Sequence, residues 1–139
     1  MKIVSRNLLL FAFLLFAYSL AFRFGLSTLL TAEKWVWVII ISVAYGAAIF
    51  VTAWMTGKRD GMNNFLFDAG FRWNLTTFIV WGIASEGWFL LGLHSAHESI
   101  RIVHITLLIW SGFLILHLIL FLILRRRTIK GIHKTNIFE

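Results

Sequence analysis

Cysteine and proline are both absent from this sequence, and acidic residues number only six. Without cysteine there is no disulfide, thiolate metal site, iron–sulfur cluster or cysteine nucleophile. Without proline no helix has its commonest kink-maker. Only glycine is left to interrupt a helix in the manner of broken-helix transporters. Charge of any sign is scarce at 14% of residues, against roughly a quarter in soluble domains. A water-soluble fold would have too little polar surface to cover itself.

What is present is apolar: 60% of the 139 residues are hydrophobic, and the mean hydropathy is +0.85. This is the composition of an integral membrane protein. The net charge of +7 does not point to nucleic acid. The basic residues form no stripe with interleaved aromatics. They cluster at the ends of apolar runs, where they set topology and meet anionic headgroups.

A membrane span needs about 20 apolar residues, and four segments qualify: about 8–30, 35–54, 73–93 and 102–124. Together they predict an all-α, single-domain, four-transmembrane-helix bundle with short loops. Lys2 and Arg6 followed by Leu8 to Leu20, with Ser19-Leu20-Ala21 as a small-x-small site, also fit a signal peptide. Because the segment belongs to the 139-residue chain, it is read as the first span. Of the thirteen basic residues, ten lie on one side of the membrane in this arrangement, among them Lys58, Arg59 and the Arg125-Arg126-Arg127 run. The positive-inside rule then places both termini, and the tail 125–139, in the cytoplasm; a bacterial inner (plasma) membrane is the expected location. Trp35, Trp37, Trp54 and Trp73 fall at span ends, as aromatic belts do.

The connections are expected to be tight. Thr31 is a candidate N-cap for the second helix, with Glu33 near its positive end. GKRDG, from Gly57 to Gly61, is turn chemistry. The stretch from Asn63 to Trp73, with Asp68 and Arg72 at i, i+4, suits an interfacial segment. Ser95-Ala96-His97-Glu98 matches a capping box, so the fourth helix is expected to start at Ser95 and to run into the arginine run. The remaining tail is expected to be disordered; its basic residues also suit anionic lipid.

Polar residues inside the spans carry the functional expectations. Glu86 lies about 4–5 Å from the centre of the third span, and Arg23 about 6 Å from the centre of the first, both toward the outer side. Intramembrane charges usually face a bundle interior in pairs, so Arg23 and Glu86 are expected to form a buried ion pair, against the alternative that Arg23 snorkels to the headgroups. Ser19, Arg23 and Ser27 repeat at i, i+4, i+8; Ser42, Tyr45 and Thr52 form a looser seam. Gly82, one turn before Glu86, leaves room for a neighbouring helix. His97, His104 and Ser111 follow at seven-residue steps.

His94, His97 and His104, with Glu98 nearby, are the candidates for zinc or copper or for a single haem. A two-haem arrangement fails: His104 and His117 are thirteen residues apart, about 140° around one helix. His117 is expected to hydrogen-bond in the bundle or to sit beside Trp110. Asn74-Leu75-Thr76 lies within a span and is not a glycosylation site, and GKRDG lacks the second half of a P-loop.

No catalytic constellation and no soluble domain is apparent, so the chain is read as non-enzymatic and without a required cofactor. Its expected partners are the bilayer, anionic headgroups, and either itself or a larger membrane complex. The alternative is an oligomer that conducts protons, ions or a small solute through Glu86 and Arg23.

Overall fold

Runs of leucine, phenylalanine, alanine and isoleucine with no proline propagate as helix, and in an apolar surrounding the helix satisfies every backbone group within its own segment. The computed structural model describes residues 5–61 and 66–135, and these form four α-helices: α1 (Arg6–Thr31), α2 (Trp35–Gly61), α3 (Leu66–Leu90) and α4 (Ile100–Thr135). Among the described residues three segments are long and apolar enough to cross a membrane: Arg6–Thr31, Trp35–Lys58 and Ile100–Ile123. The third helix carries Arg72, Asn74, Thr76, Thr77, Ser85 and Glu86, which dilute its apolarity.

The helix ends differ from the sequence expectations in instructive ways. The Ser5 side chain caps α1, accepting from the Leu8 amide at 3.1 Å. At the far end Glu33, with φ +55°, closes a Schellman motif: its amide donates to Leu30 and that of Lys34 to Leu29. Thr31 is therefore the last residue of α1 rather than the N-cap of α2; the Trp35 amide donates to the Glu33 carbonyl, and those of Trp37 and Val38 to the Lys34 carbonyl. A second Schellman motif, with Gly92 at φ +68°, ends α3 through bonds from Gly92 to Phe89 and from Leu93 to Trp88.

Gly57 to Gly61 is the last part of α2 and not a turn, because Gly57 is followed by Lys58 and Arg59, good helix formers that carry the helix on. The basic tail is helical as far as Thr135, where disorder was expected. The Asp68–Arg72 pairing, Asn63, and the side chains of Arg59, Arg125, Arg126 and Arg127 lie outside the described residues; Lys58 is exposed.

Packing is centred on α1. It touches α2 and α3, α2 also touches α3, and α4 packs on α3 alone among the described residues. The helices thus make a three-helix group with α4 added at one edge, not a closed square. One stripe of α1 is buried throughout: Leu8, Phe11, Leu15, Ser19, Arg23, Ser27 and Leu30. Its first half is apolar and packs with Trp73, Ile49, Ala53 and Val80; its second half is polar. Gly25 allows the close approach of α2, since a Cβ there would collide with the Ile41 side chain.

Trp35, Trp37 and Trp54 are exposed at 57–64%, but Trp73 is 8% exposed. Trp73 is therefore no belt residue: its ring lies 6.1 Å from Phe11, and its indole N–H donates to Thr56 at 3.1 Å. Helix α3 begins well before Trp73, which moves that residue from the expected span end into the interior.

Candidate functional site

The polar half of the α1 stripe meets α3 and the loop 91–99 in one buried network. The Arg23 Nη2 donates to Ser85 Oγ at 2.6 Å, and Nη1 lies 3.5 Å from Glu98 Oε2, with the two side chains only 8% and 6% exposed. The guanidinium sits 5.5 Å from the Trp81 ring and 6.0 Å from that of Phe89, so its faces see π-systems while its edge makes the polar contacts. Glu98 is held on its other oxygen, Oε1, by the Ser27 hydroxyl and by the Ser95 amide at 3.2 Å. Trp88 donates its indole N–H to Ser27 at 3.0 Å, and Thr31 donates to Ser95 at 3.1 Å. The loop is thereby folded back against α1 and is itself buried at Ser95.

The expected Arg23–Glu86 pair is not formed. Adjacent residues on a helix point about 100° apart, and it is Ser85, 1% exposed, that faces α1. Glu86 is swung toward α4, where its Oε1 lies 2.9 Å from His104 Nε2. Gly82 shares that direction: its position faces Leu107 of α4, 3.3 Å from where a Cβ would stand. With α3 running from Leu66 to Leu90, Glu86 is one turn from the helix end, about 12 Å from its midpoint at 1.5 Å per residue. Arg23 neither snorkels nor meets Glu86; the loop carries Glu98 down to it.

The capping-box expectation is half realised. Glu98 reaches back to the Ser95 amide as a capping box requires, but the turn that it closes is isolated, and α4 starts only at Ile100. The carboxylate's second oxygen is turned toward Arg23, so the same motif that caps locally also neutralises the buried cation.

The other candidates are dispersed. Ser19 and Tyr45 share a hydrogen bond of 2.7 Å between α1 and α2, with Phe22 stacked on Tyr45 at 4.4 Å. Ser42 and Thr52 bond to carbonyls of their own helix, as Ser111 does to Leu108. His117 lies edge-on to Phe71, 5.6 Å away, and Trp110 instead takes Phe78 and Trp81 as neighbours and donates to Asn74 at 3.0 Å.

His94 stacks on Phe89 at 4.6 Å, His97 meets the Trp35 edge at 6.2 Å, and His104 is with Glu86. The three histidines are not brought together, and no group of three or more His, Asp or Glu side chains with metal-binding geometry occurs among the described residues. A shallow, open recess of about 420 Å³ is bordered by Phe89, His94, Glu98 and Ile100.

Chemically the buried network is an ion pair of no net charge: Ser85 accepts from Arg23, Ser27 and the Ser95 amide donate to Glu98, and Trp88 and Thr31 brace those two serines in turn. Two of its atoms, Arg23 Nε and Glu98 Oε2, have no hydrogen-bond partner among the described residues, so the pair relies on charge attraction at 3.5 Å and on the surrounding clamps. Ser85 and Glu98 were not foreseen as partners of Arg23, nor Trp88 and Ser95 as partners of Ser27 and Glu98. The usable signal was the capping-box carboxylate, one of the few acids in the chain, directly preceding an apolar run. Compared with protein-family models, characterised proteins and solved structures, the chain matches none.

Proposed function

We propose that this protein is a non-enzymatic membrane subunit that assembles with itself or with a larger membrane complex. All four helices cross the bilayer in this reading, with both termini in the cytoplasm as the positive-inside rule requires, and a bacterial inner membrane is the setting.

The observation that carries the reading is the position of Glu86 and His104. Their side chains are 35% and 57% exposed on the outside of the chain, one turn into the apolar part of α3 and α4. Lipid tails offer such a pair no hydrogen bonds, and ionisable residues within spans face protein or water rather than lipid. A protein surface is the natural cover. The one-sided packing of α4, with Ile102, Leu108 and Phe113 exposed at 64–73%, supports the same reading. The conducting alternative drew on Arg23 as the counter-charge of Glu86, and Arg23 is committed to Glu98.

Purification of the tagged full-length chain in a mild detergent, followed by native mass spectrometry, tests the proposal. An oligomer or a stoichiometric membrane partner is expected. A lone monomer across several mild detergents and in nanodiscs would overturn it.

A further inference from the structure

Helix α4 presents two neighbouring faces with the same 4-3-4 spacing. The first is already occupied: Val103 and Leu114 are only 3% and 7% exposed, Leu107 meets Gly82, and Trp110 meets Asn74. These four residues follow steps of 4, 3 and 4, the alternation of a helix–helix seam, and α3 fills it. The second face lies one residue on, about 100° around the helix: His104, Leu108, Ser111 and Ile115. Leu108 and Ile115 are exposed at 73% and 59%, and Ser111 is a small residue of the kind that lets helices approach. On α3 the residues Ile79, Ile83, Glu86 and Leu90 repeat the same steps, with the three apolar members 47%, 61% and 84% exposed. The Glu86–His104 contact of 2.9 Å joins the two uncovered seams.

Resting on the assembly reading above, we propose that these seams bind a second copy of this chain, so that α3 and α4 of two protomers form a four-helix bundle around a cluster of two glutamates and two histidines. Charge and depth select this occupant. The patch carries both an acceptor, the second oxygen of Glu86, and a ring nitrogen on His104 that is not engaged with Glu86, so it is complementary to itself. A two-fold axis along the membrane normal gives an isologous interface. It brings Glu86 of each protomer level with His104 of the other, because copies inserted in the same orientation hold both residues at one depth. A different membrane protein would need its own donor and acceptor at that level; a second copy has them by construction.

The chain has no cysteine, so single-cysteine crosslinking reads one position at a time. Ile83→Cys, Leu108→Cys and Ile115→Cys are each reconstituted at full length in liposomes and oxidised with copper phenanthroline, beside Val43→Cys on the equally exposed face of α2. At least one seam position is expected to give a disulfide dimer at several times the yield of Val43→Cys. Glu86→Gln and His104→Leu, introduced separately, are expected to lower that yield roughly ten-fold, the loss of one buried polar pair at about 1.4 kcal/mol per decade. Circular dichroism and gel filtration check that both variants remain folded. Equal yields at Val43 and at all three seam positions, or seam yields indifferent to both substitutions, overturn the proposal. If the wild-type chain is still oligomeric by native mass spectrometry in that event, assembly stands and only this interface is wrong; if it is monomeric and partnerless, both readings fall.

Discussion

Arg23 of α1 and Glu98 of the loop 91–99 stand 3.5 Å apart with both side chains more than nine-tenths buried, and this contact ties the third connection to the first helix. Removing one partner of such a pair strands the other charge away from water, at about 3–5 kcal/mol. Arg23→Met and Glu98→Met are each expected to destabilise by that amount. The double variant should lose less than the two together, by on the order of 2 kcal/mol of coupling. Reversible unfolding of the four proteins in mixed micelles measures the cycle. Strict additivity would mean that the clamping serines, and not the ion pair, hold the loop.

The two Schellman motifs make opposite predictions. Glu33 occupies a left-handed conformation, φ +55°, which costs a residue with a Cβ about 1–2 kcal/mol. Glu33→Gly is therefore expected to stabilise the protein by about 1 kcal/mol. At Gly92, φ +68°, alanine is expected to destabilise by a similar amount. A thermal melt in one detergent compares both with the wild type, and shifts of the same sign would contradict the assignment.

Trp73 and Trp54 provide a contrast between an interior indole and a surface one. Trp73→Ala is expected to cost about 3–5 kcal/mol, as for other buried aromatics, and Trp73→Phe about 1 kcal/mol through the lost bond to Thr56. Trp54, 64% exposed, should tolerate phenylalanine with little change. Emission of Trp73, isolated by replacing the other six tryptophans with phenylalanine, should resist a water-soluble quencher that reaches Trp54 in the corresponding variant.

Asn74 and Trp110 link α3 to α4 at 3.0 Å. Interhelical hydrogen bonds in membranes average about 0.6 kcal/mol, with a maximum near 1.7, so Asn74→Leu should weaken the edge helix modestly. Hydrogen exchange is the appropriate readout: faster exchange confined to α4 is expected, and uniform acceleration across α1 and α2 would argue against an independently docked edge.

Much of this arrangement was legible in the sequence. The apolar runs placed α1, α2 and α4, and the i, i+4, i+8 spacing of Ser19, Arg23 and Ser27 put them on one face, all buried in the fold. The partner of Arg23 was not legible, for a geometric reason. Glu86 was judged by depth alone, while azimuth decides contacts, and a single-residue step from Ser85 turns it to another helix. Hydropathy also misplaced α3, because Asp68 and Arg72 in its first two turns lower an otherwise apolar stretch, and its end is set by the positive φ of Gly92 and not by a loss of apolar residues. The loop 91–99 was underestimated because Ser95 and Glu98 satisfy a helix-start pattern even when the helix begins later.

The folded-back loop also has a consequence for synthesis. In the four-span reading proposed above, Arg23 enters the membrane in the first helix, and Glu98 is translated only after the third helix is complete. Until then the cation has no acidic partner from this network, and its long side chain must reach for the headgroups. The nascent protein is consequently least stable while α1, α2 and α3 are present without the loop. A ribosome stalled before codon 98 should expose a chain prone to degradation, whereas one stalled a few residues beyond, with the loop clear of the exit tunnel, should not.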